Sequence, residues 1–147
     1  MRRKNEHGQS LVMVAVFLLF VGLPIIVLAI DGTRLYRVQS LLQTATDAAC
    51  EDAAVTAPDY EHYKRTGETR FVSNQLLWYR AYQTYNRVWR PFGRVALDVG
   101  SYSITIIPDQ SRSLMNCTGR VSVPLVILPA TVTLDALSTS GVRFSSD

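Results

Sequence analysis

Few side chains in this sequence combine the residue types and spacing that catalysis or metal binding requires. The two histidines, His7 and His62, are far apart in the chain, and no group of His, Cys and carboxylate residues has the spacing of a metal site. A glycine-rich phosphate loop and a Gly-x-Ser-x-Gly nucleophile motif are both absent. The sequence therefore predicts a protein that is not an enzyme, with no catalytic residue, no metal and no cofactor.

The two cysteines, Cys50 and Cys117, can form one bond with each other. Disulfides form and persist in oxidising compartments, which lie outside the cytoplasm. The alternative is two buried free thiols, because nothing in the sequence determines the distance between them. We predict a disulfide between Cys50 and Cys117.

Aromatic residues recur at spacings of 7, 4, 3 and 4 between residues 71 and 89, and arginines lie around them. The set is Phe71, Trp78, Tyr82, Tyr85 and Trp89. Interleaved basic and aromatic side chains occur in some nucleic-acid-binding surfaces. The same spacing is also that of an ordinary buried helix face. We predict the buried face, and no nucleic-acid partner.

A long apolar segment near the N-terminus should position the rest of the chain. Residues 11–30 read LVMVAVFLLFVGLPIIVLAI, twenty positions without a charge. At about 1.5 Å per residue, a helix of this length crosses a hydrocarbon core about 30 Å thick. A chain of 147 residues has no room to surround a helix that is apolar on every face. A cleaved signal sequence is the main alternative, but it would need a shorter apolar run and a small-x-small exit.

Positive charge is concentrated before this span. Residues 1–10 carry Arg2, Arg3 and Lys4 against Glu6, whereas residues 31–147 carry 12 basic and 11 acidic side chains. Cytoplasmic flanks are enriched in Lys and Arg, so the N-terminus should stay in the cytoplasm. We predict a single-pass protein of the cytoplasmic (inner) membrane with four segments. They are a cytoplasmic basic tail at 1–10, a transmembrane helix at 11–30, its extracytoplasmic continuation at 31–57 and an extracytoplasmic head at 58–147.

The helical pattern continues after the span. An apolar stripe recurs at spacings of 3, 4, 3 and 4 and shrinks from leucine to alanine. Its members are Leu35, Val38, Leu42, Ala45 and Ala49. We predict one helix from about Gln9 to about Thr56, kinked near Gly22 and Pro24, with this stripe as a helix interface in assembly. The head of the same chain could instead cover part of the stripe.

The remaining residues predict a small α+β head. A second helix should run from about Glu68 to Trp89, with Thr66 as its N-cap. Alternating patterns predict strands at 95–108, 120–128 and 131–137, with a further piece at 141–144 and a polar loop at 109–116. We expect the second helix to pack on an antiparallel sheet of three or four strands. Pro124 should place its strand at an edge or in a bulge.

Three segments occur in a characteristic order around the span. They are Gln9-Ser10-Leu11-Val12, then Ile30-Asp31-Gly32-Thr33-Arg34-Leu35-Tyr36, then Leu42-Gln43-Thr44-Ala45-Thr46-Asp47-Ala48-Ala49. In this order the chain resembles the N-terminal region of TadE/TadG-like proteins, the minor pseudopilin-like components of tight-adherence (Flp, type IVb) pilus systems. The resemblance covers about residues 8–55, roughly a third of the chain.

The resemblance implies a structural role in assembling, anchoring or capping a surface pilus. Its partners would be other pilins or pseudopilins, in homo- or hetero-oligomers, together with the pilus assembly machinery and the membrane. It places a processing site at Gly8 and Gln9. Met13 stands where TadE-type members usually carry Glu, so the chain looks more TadG-like and we expect no cleavage there. The alternative role is a membrane-anchored adhesin or envelope binding protein whose head meets a ligand.

Overall fold

The computed structural model describes residues 6–71, 74–93, 102–127 and 129–143. The fold is α+β, with a long N-terminal helix followed by shorter helices and a sheet. The long helix consists of α1 (Glu6–Phe17), a π-helical turn (Leu18–Gly22) and α2 (Leu23–Thr56). The later elements are α3 (Tyr60–Thr66), α4 (Asn74–Gly93), β1 (Tyr102–Asp109), β2 (Leu114–Pro124) and β3 (Thr131–Gly141).

The predicted long helix is confirmed, with a start three residues earlier than expected and an end at Thr56. The chain contains neither Pro nor Gly between Thr33 and Ala57, so nothing interrupts its backbone hydrogen bonds. The predicted kink near Gly22 and Pro24 stays a prediction, and the structure shows a π-helical turn over Leu18–Gly22 just before Pro24. Pro24 has no N–H to donate, and the N–H of Leu23 donates to the carbonyl of Leu18, five residues back.

The start of the second predicted helix was wrong. Thr66 does not cap it, because Thr66 is the last residue of α3. Asp59 caps α3 by accepting the backbone N–H of His62 at 3.1 Å, and Gly67 ends it in the left-handed conformation with φ of 74°. These two signals together define a short separate helix, and α4 begins at Asn74.

The three described strands form an antiparallel meander in the order β1-β2-β3. β2 begins at Leu114, before the predicted 120, because the predicted polar loop is only a turn over residues 110–113. Pro124 lies in the central strand, which corrects the edge prediction. It is the last residue of β2, and the described pairing with β1 ends at Val121, so its missing N–H removes no bond to β1 there. The predicted strand residues 95–101, 128 and 144 lie outside the described residues.

The sheet packs on the long helix more than on the second one, which corrects the predicted arrangement. α2 contacts α4 and also β2 and β3, whereas α4 contacts the sheet mainly at β1. The buried face of α2 is rich in alanine, and small side chains allow both α4 and the strands to approach its backbone. The core of the head is therefore built around residues 38–57 of the long helix.

The aromatic stripe of the second helix divides into two parts. Tyr85 and Trp89 are buried in the core and stack with ring centroids 6.2 Å apart. Trp78 stacks on Tyr82 at 5.0 Å but remains 48% exposed. Two smaller core residues of α4, Leu77 and Ala81, were missed by the aromatic pattern. They lie eight and four residues before Tyr85, on the same face.

Candidate functional site

The first part of the site is the exposed apolar stretch of the long helix. Within the described part of the chain, one helix is long and apolar enough to cross a membrane, judged by length and composition. None of its most apolar stretch is buried in the head, and Phe20 is 76% exposed. Large apolar side chains that no protein atom covers favour a lipid environment. This part of the structure suggests membrane anchoring.

The second part is the junction between this stretch and the head. Asp31 follows Ile30 directly, yet it is only 5% exposed. Its Oδ1 accepts the backbone N–H of Val126 at 3.1 Å, and its buried Oδ2 has no hydrogen-bond partner among the described residues. Arg34 Nη1 donates to the carbonyl of Pro124 at 3.0 Å. Both contacts hold the end of β2 and the following loop against the helix.

Two glutamines extend this attachment along β3. Gln39 Nε2 donates to the carbonyl of Asp135 at 3.0 Å, and Gln43 Nε2 donates to the carbonyl of Leu137 at 3.0 Å. No role was predicted for these two glutamines from the sequence. The available signal was spacing: Asp31, Gln39 and Gln43 are separated by multiples of four, which places them along one side of the helix.

The predicted helix interface lies inside the head. Val38, Leu42, Ala45 and Ala49 are completely buried, and Leu35 is half-buried against the same core. The covering elements are α4 and the strands of the same chain. The structure thus favours the alternative in which the head covers the stripe. A partner helix has no access to these four side chains while the head is folded.

The close approach of β2 to α2 depends on Gly119. A Cβ at this position would overlap Oγ1 of Thr46 and would lie 3.2 Å from Cδ1 of Leu42. Thr46 is fully buried, and its hydroxyl donates to the carbonyl of Leu42 at 2.7 Å. A residue without a side chain is therefore needed where the strand crosses the helix.

A disulfide joins the predicted pair, Cys50 and Cys117, in this structure. Their Cα atoms are 5.7 Å apart, and both residues are buried. The bond connects α2 to the central strand across a sequence separation of 67 residues. Together with the contacts of Asp31, Arg34 and the glutamines, it attaches the sheet to the second half of the long helix, from Asp31 to Cys50.

Two ionisable groups of the head, Tyr85 and Asp135, have shifted pKa values with structural causes. Burial raises the pKa of Tyr85 to about 12, so its hydroxyl stays neutral near neutral pH. A hydrogen bond from Arg120 lowers the pKa of Asp135 on the neighbouring strand, at 2.7 Å. In the described ranges, no group of three or more His, Cys, Asp and Glu residues could hold a metal ion. Gly8 and Gln9, the predicted processing site, lie within α1.

Comparison with known proteins adds one match. Residues 8–56 match the model of the Tad family, described as Flp pilus-assembly TadE/G-like. No curated protein and no solved structure matches the chain. The matched segment is about a third of the chain and runs from α1 to the end of α2. It supports a pilus-related role, and it confirms the resemblance on which that role was predicted: the long N-terminal helix of this protein is TadE/G-like.

Proposed function

We propose that this protein is a structural component in the assembly of a Tad/Flp-type surface pilus, acting by membrane anchoring and helix packing. The TadE/G-like match over residues 8–56 supports the pilus-related role, and one structural observation carries the proposed mechanism. A single continuous helix is apolar and exposed over residues 11–30 and forms the core of the head over residues 38–57. No flexible linker separates the two parts, so any partner that packs on the exposed part also positions the head.

The proposed topology has the N-terminus in the cytoplasm, one transmembrane pass and the head outside. The basic residues Arg2, Arg3 and Lys4 support this orientation. The Cys50–Cys117 disulfide also supports it, since the head would lie in an oxidising compartment. An alkaline phosphatase fused after Asp147 should be active, because this enzyme needs its own disulfides. Activity only of a cytoplasmic reporter at the same position would reverse the orientation.

The proposed packing surface is the exposed stretch at residues 11–30, since the head already covers the stripe further along the helix. In membranes, close packing replaces the hydrophobic effect as the force that joins helices. The proposed partners are other pilins or pseudopilins, or further copies of this chain, together with the assembly machinery. No cofactor and no enzymatic step enter this role.

The test separates a packing surface from a simple anchor. Residues 11–30 are replaced in the full chain by an artificial Leu/Ala helix of equal length, in cells that lack the native gene. We expect membrane insertion and the Cys50–Cys117 bond to persist, while surface filaments counted by electron microscopy are lost. The matched control, Leu137→Ala, changes a side chain that is 73% exposed on β3 and should leave filaments unchanged. If the variant with the artificial helix forms as many filaments as the native protein, residues 11–30 act only as an anchor and not as a packing surface.

The N-terminal segment is proposed to stay uncleaved. Met13 supplies no carboxylate at the position where TadE-type members usually carry Glu. Intact-mass measurement of the protein extracted from membranes should therefore give a chain that retains Gly8. A mature N-terminus at Gln9 would contradict this proposal and would leave the anchoring role unaffected.

A second candidate function is a membrane-anchored adhesin or envelope binding protein. It is favoured by an apolar groove of about 420 Å³ between α4 and β1. The groove is lined by Gln75, Leu77, Trp78, Ile106 and Pro108. In this case Trp78→Ala should abolish attachment of cells to a surface without changing their number of filaments. Loss of filaments in the variant, with the head still folded, would speak against this alternative.

A further inference from the structure

The loop between β2 and β3 lies where the apolar stretch of the long helix ends. Asp31, the first residue after that stretch, accepts the backbone N–H of Val126. Arg34, one turn further along, donates to the carbonyl of Pro124. The backbone N–H of Leu125 donates to the carbonyl of Ala130 at 2.9 Å and closes the loop. These bonds place the loop beside the first turn beyond the apolar stretch.

The composition of this loop is unusual for a hairpin connection in water. Residues 125–130 read LVILPA, without a charged or polar side chain. Val126 is 63% exposed and Ile127 is 46% exposed. Gly, Pro, Asn, Asp and Ser dominate connections of this kind, and of these the loop contains only Pro129. Neighbouring exposed apolar side chains at such a position indicate a contact with something apolar.

We propose that Val126 and Ile127 enter the boundary between lipid headgroups and acyl chains, which gives the head a second contact with the membrane. This inference rests on the proposed anchoring by residues 11–30. When that stretch crosses the hydrocarbon core, Asp31 lies at the boundary, and its hydrogen bond places Val126 at the same level. Lipid is the occupant that fits, because Leu28 and Ile30, which come just before Asp31 in the helix, are also apolar and exposed.

The second contact has a mechanical consequence. A head attached through one helix can rotate about the axis of that helix and tilt with it. A loop that enters the lipid beside the helix restricts the tilt, because tilting the head away from the loop would lift the loop out of its apolar surroundings. Rotation about the membrane normal leaves the depth of the loop unchanged. The head would then keep a constant inclination to the membrane.

The experiment measures the depth of the loop directly. The full chain carrying Val126→Cys, with the native disulfide kept oxidised, is labelled at the new thiol with the fluorophore NBD. It is reconstituted in vesicles of phosphatidylcholine and phosphatidylglycerol, with and without nitroxide-labelled lipids. A cysteine keeps the backbone N–H that Asp31 accepts, so the loop should retain its position. The matched control is Leu137→Cys, also exposed but paired with Thr118, further along the hairpin from the loop.

We expect several-fold stronger quenching and bluer emission for the label at residue 126 than for the label at residue 137. Ile127→Cys provides an independent second position, and non-reducing gels that show the Cys50–Cys117 bond verify folding. Equal quenching at the two sites, in protein that floats with the vesicles, would overturn the loop contact while anchoring stands. Failure of the chain to float with vesicles would overturn the anchoring and the loop contact together.

Discussion

Two segments of one helix share a secondary structure and little else. The span segment, residues 11–30, carries bulky apolar side chains on every side and leaves them exposed. The core segment, residues 38–54, carries a narrow alanine-rich face that the head buries and a polar face that it leaves exposed. The difference shows that helix formation and helix burial have separate causes. Both segments form the same backbone hydrogen bonds of a helix. The distribution of their apolar side chains around the helix decides whether lipid or the head can cover them.

The same comparison explains why one helix can serve two environments. An apolar surface on all sides cannot be covered by a head of this size, and lipid can cover it without any specific fit. A narrow stripe of small side chains needs a partner of matching shape. The head supplies that partner through α4 and through β2, which approaches closely at Gly119.

Removing the disulfide should have the largest effect on the core segment. Replacing Cys50 and Cys117 by Ser releases a loop of 66 intervening residues, which costs the head about 4 kcal/mol in the chain-entropy model. Urea unfolding of detergent-solubilised protein, followed by near-UV circular dichroism, measures this loss. The span segment should still insert into membranes. Mass spectrometry of unreduced peptides comes first, because two alkylatable thiols in the native protein would mean that the bond does not form.

A matched pair of leucine substitutions should distinguish the two segments. Leu42→Ala leaves a cavity in the core and should lower the free energy of unfolding of the head by about 3 kcal/mol. Leu19→Ala removes the same atoms from an exposed position in the span segment and should leave head unfolding unchanged. Denaturant midpoints of the two variants test this. Equal midpoints would show that the stripe is not buried by the head in solution.

Adding one methyl group at Gly119 should destabilise the contact between β2 and the core segment. Gly119→Ala forces its Cβ against Thr46, and overpacking of this kind costs about 2 kcal/mol. Thr46→Ala removes the hydroxyl that would be overlapped. The double variant should therefore be more stable than the sum of the two single changes predicts, by a double-mutant cycle. Strict additivity would argue that the strand and helix are not in contact at this point.

The smallest change in the free energy of unfolding is expected from removing the buried hydroxyl of Tyr85. The hydroxyl of Tyr85 is buried and has no hydrogen-bond partner among the described residues. Tyr85→Phe should therefore be neutral or should stabilise the head by up to about 1 kcal/mol, because it removes an unpaired polar group and retains the ring. A clear loss of stability in thermal unfolding would reveal a hydrogen bond to this hydroxyl.

The same residue adds a pH dependence with a defined sign. Burial raises the pKa of Tyr85 from 10.0 to about 12, so between these values the folded state holds a proton that the unfolded state releases. Its contribution to stability is complete below pH 10 and is lost as the pH rises toward 12. Tyr85→Phe should lose less stability across this window than the native protein. An equal loss of unfolding free energy in the two proteins as the pH rises above 10 would contradict the raised pKa.

Much of the head could be predicted from local pattern, and the errors have a common form. The third strand was predicted from Thr131, and it starts there, because alternation over several residues is a strong local signal. The start of α4 and the N-cap were misplaced at Thr66. The N-cap Asp59 and the C-cap Gly67 define a separate short helix, which the spacing of apolar residues does not predict. Pro124 was predicted to lie in an edge strand or a bulge, and it lies in the central strand, because strand order is a non-local property that the residues around Pro124 do not determine.

The sequence by itself determined the apolar span, the unbroken helix after it, the alternation of the strands and the family resemblance over residues 8–56. Each of these depends on residues close together in the chain. Only the tertiary structure decided that the head covers the stripe from Val38 to Ala49, and that Asp31 and Gln43 attach the hairpin. The physical reason is that periodicity shows which face of a helix is apolar, whereas the partner of that face is chosen by contacts between residues nearly a hundred positions apart.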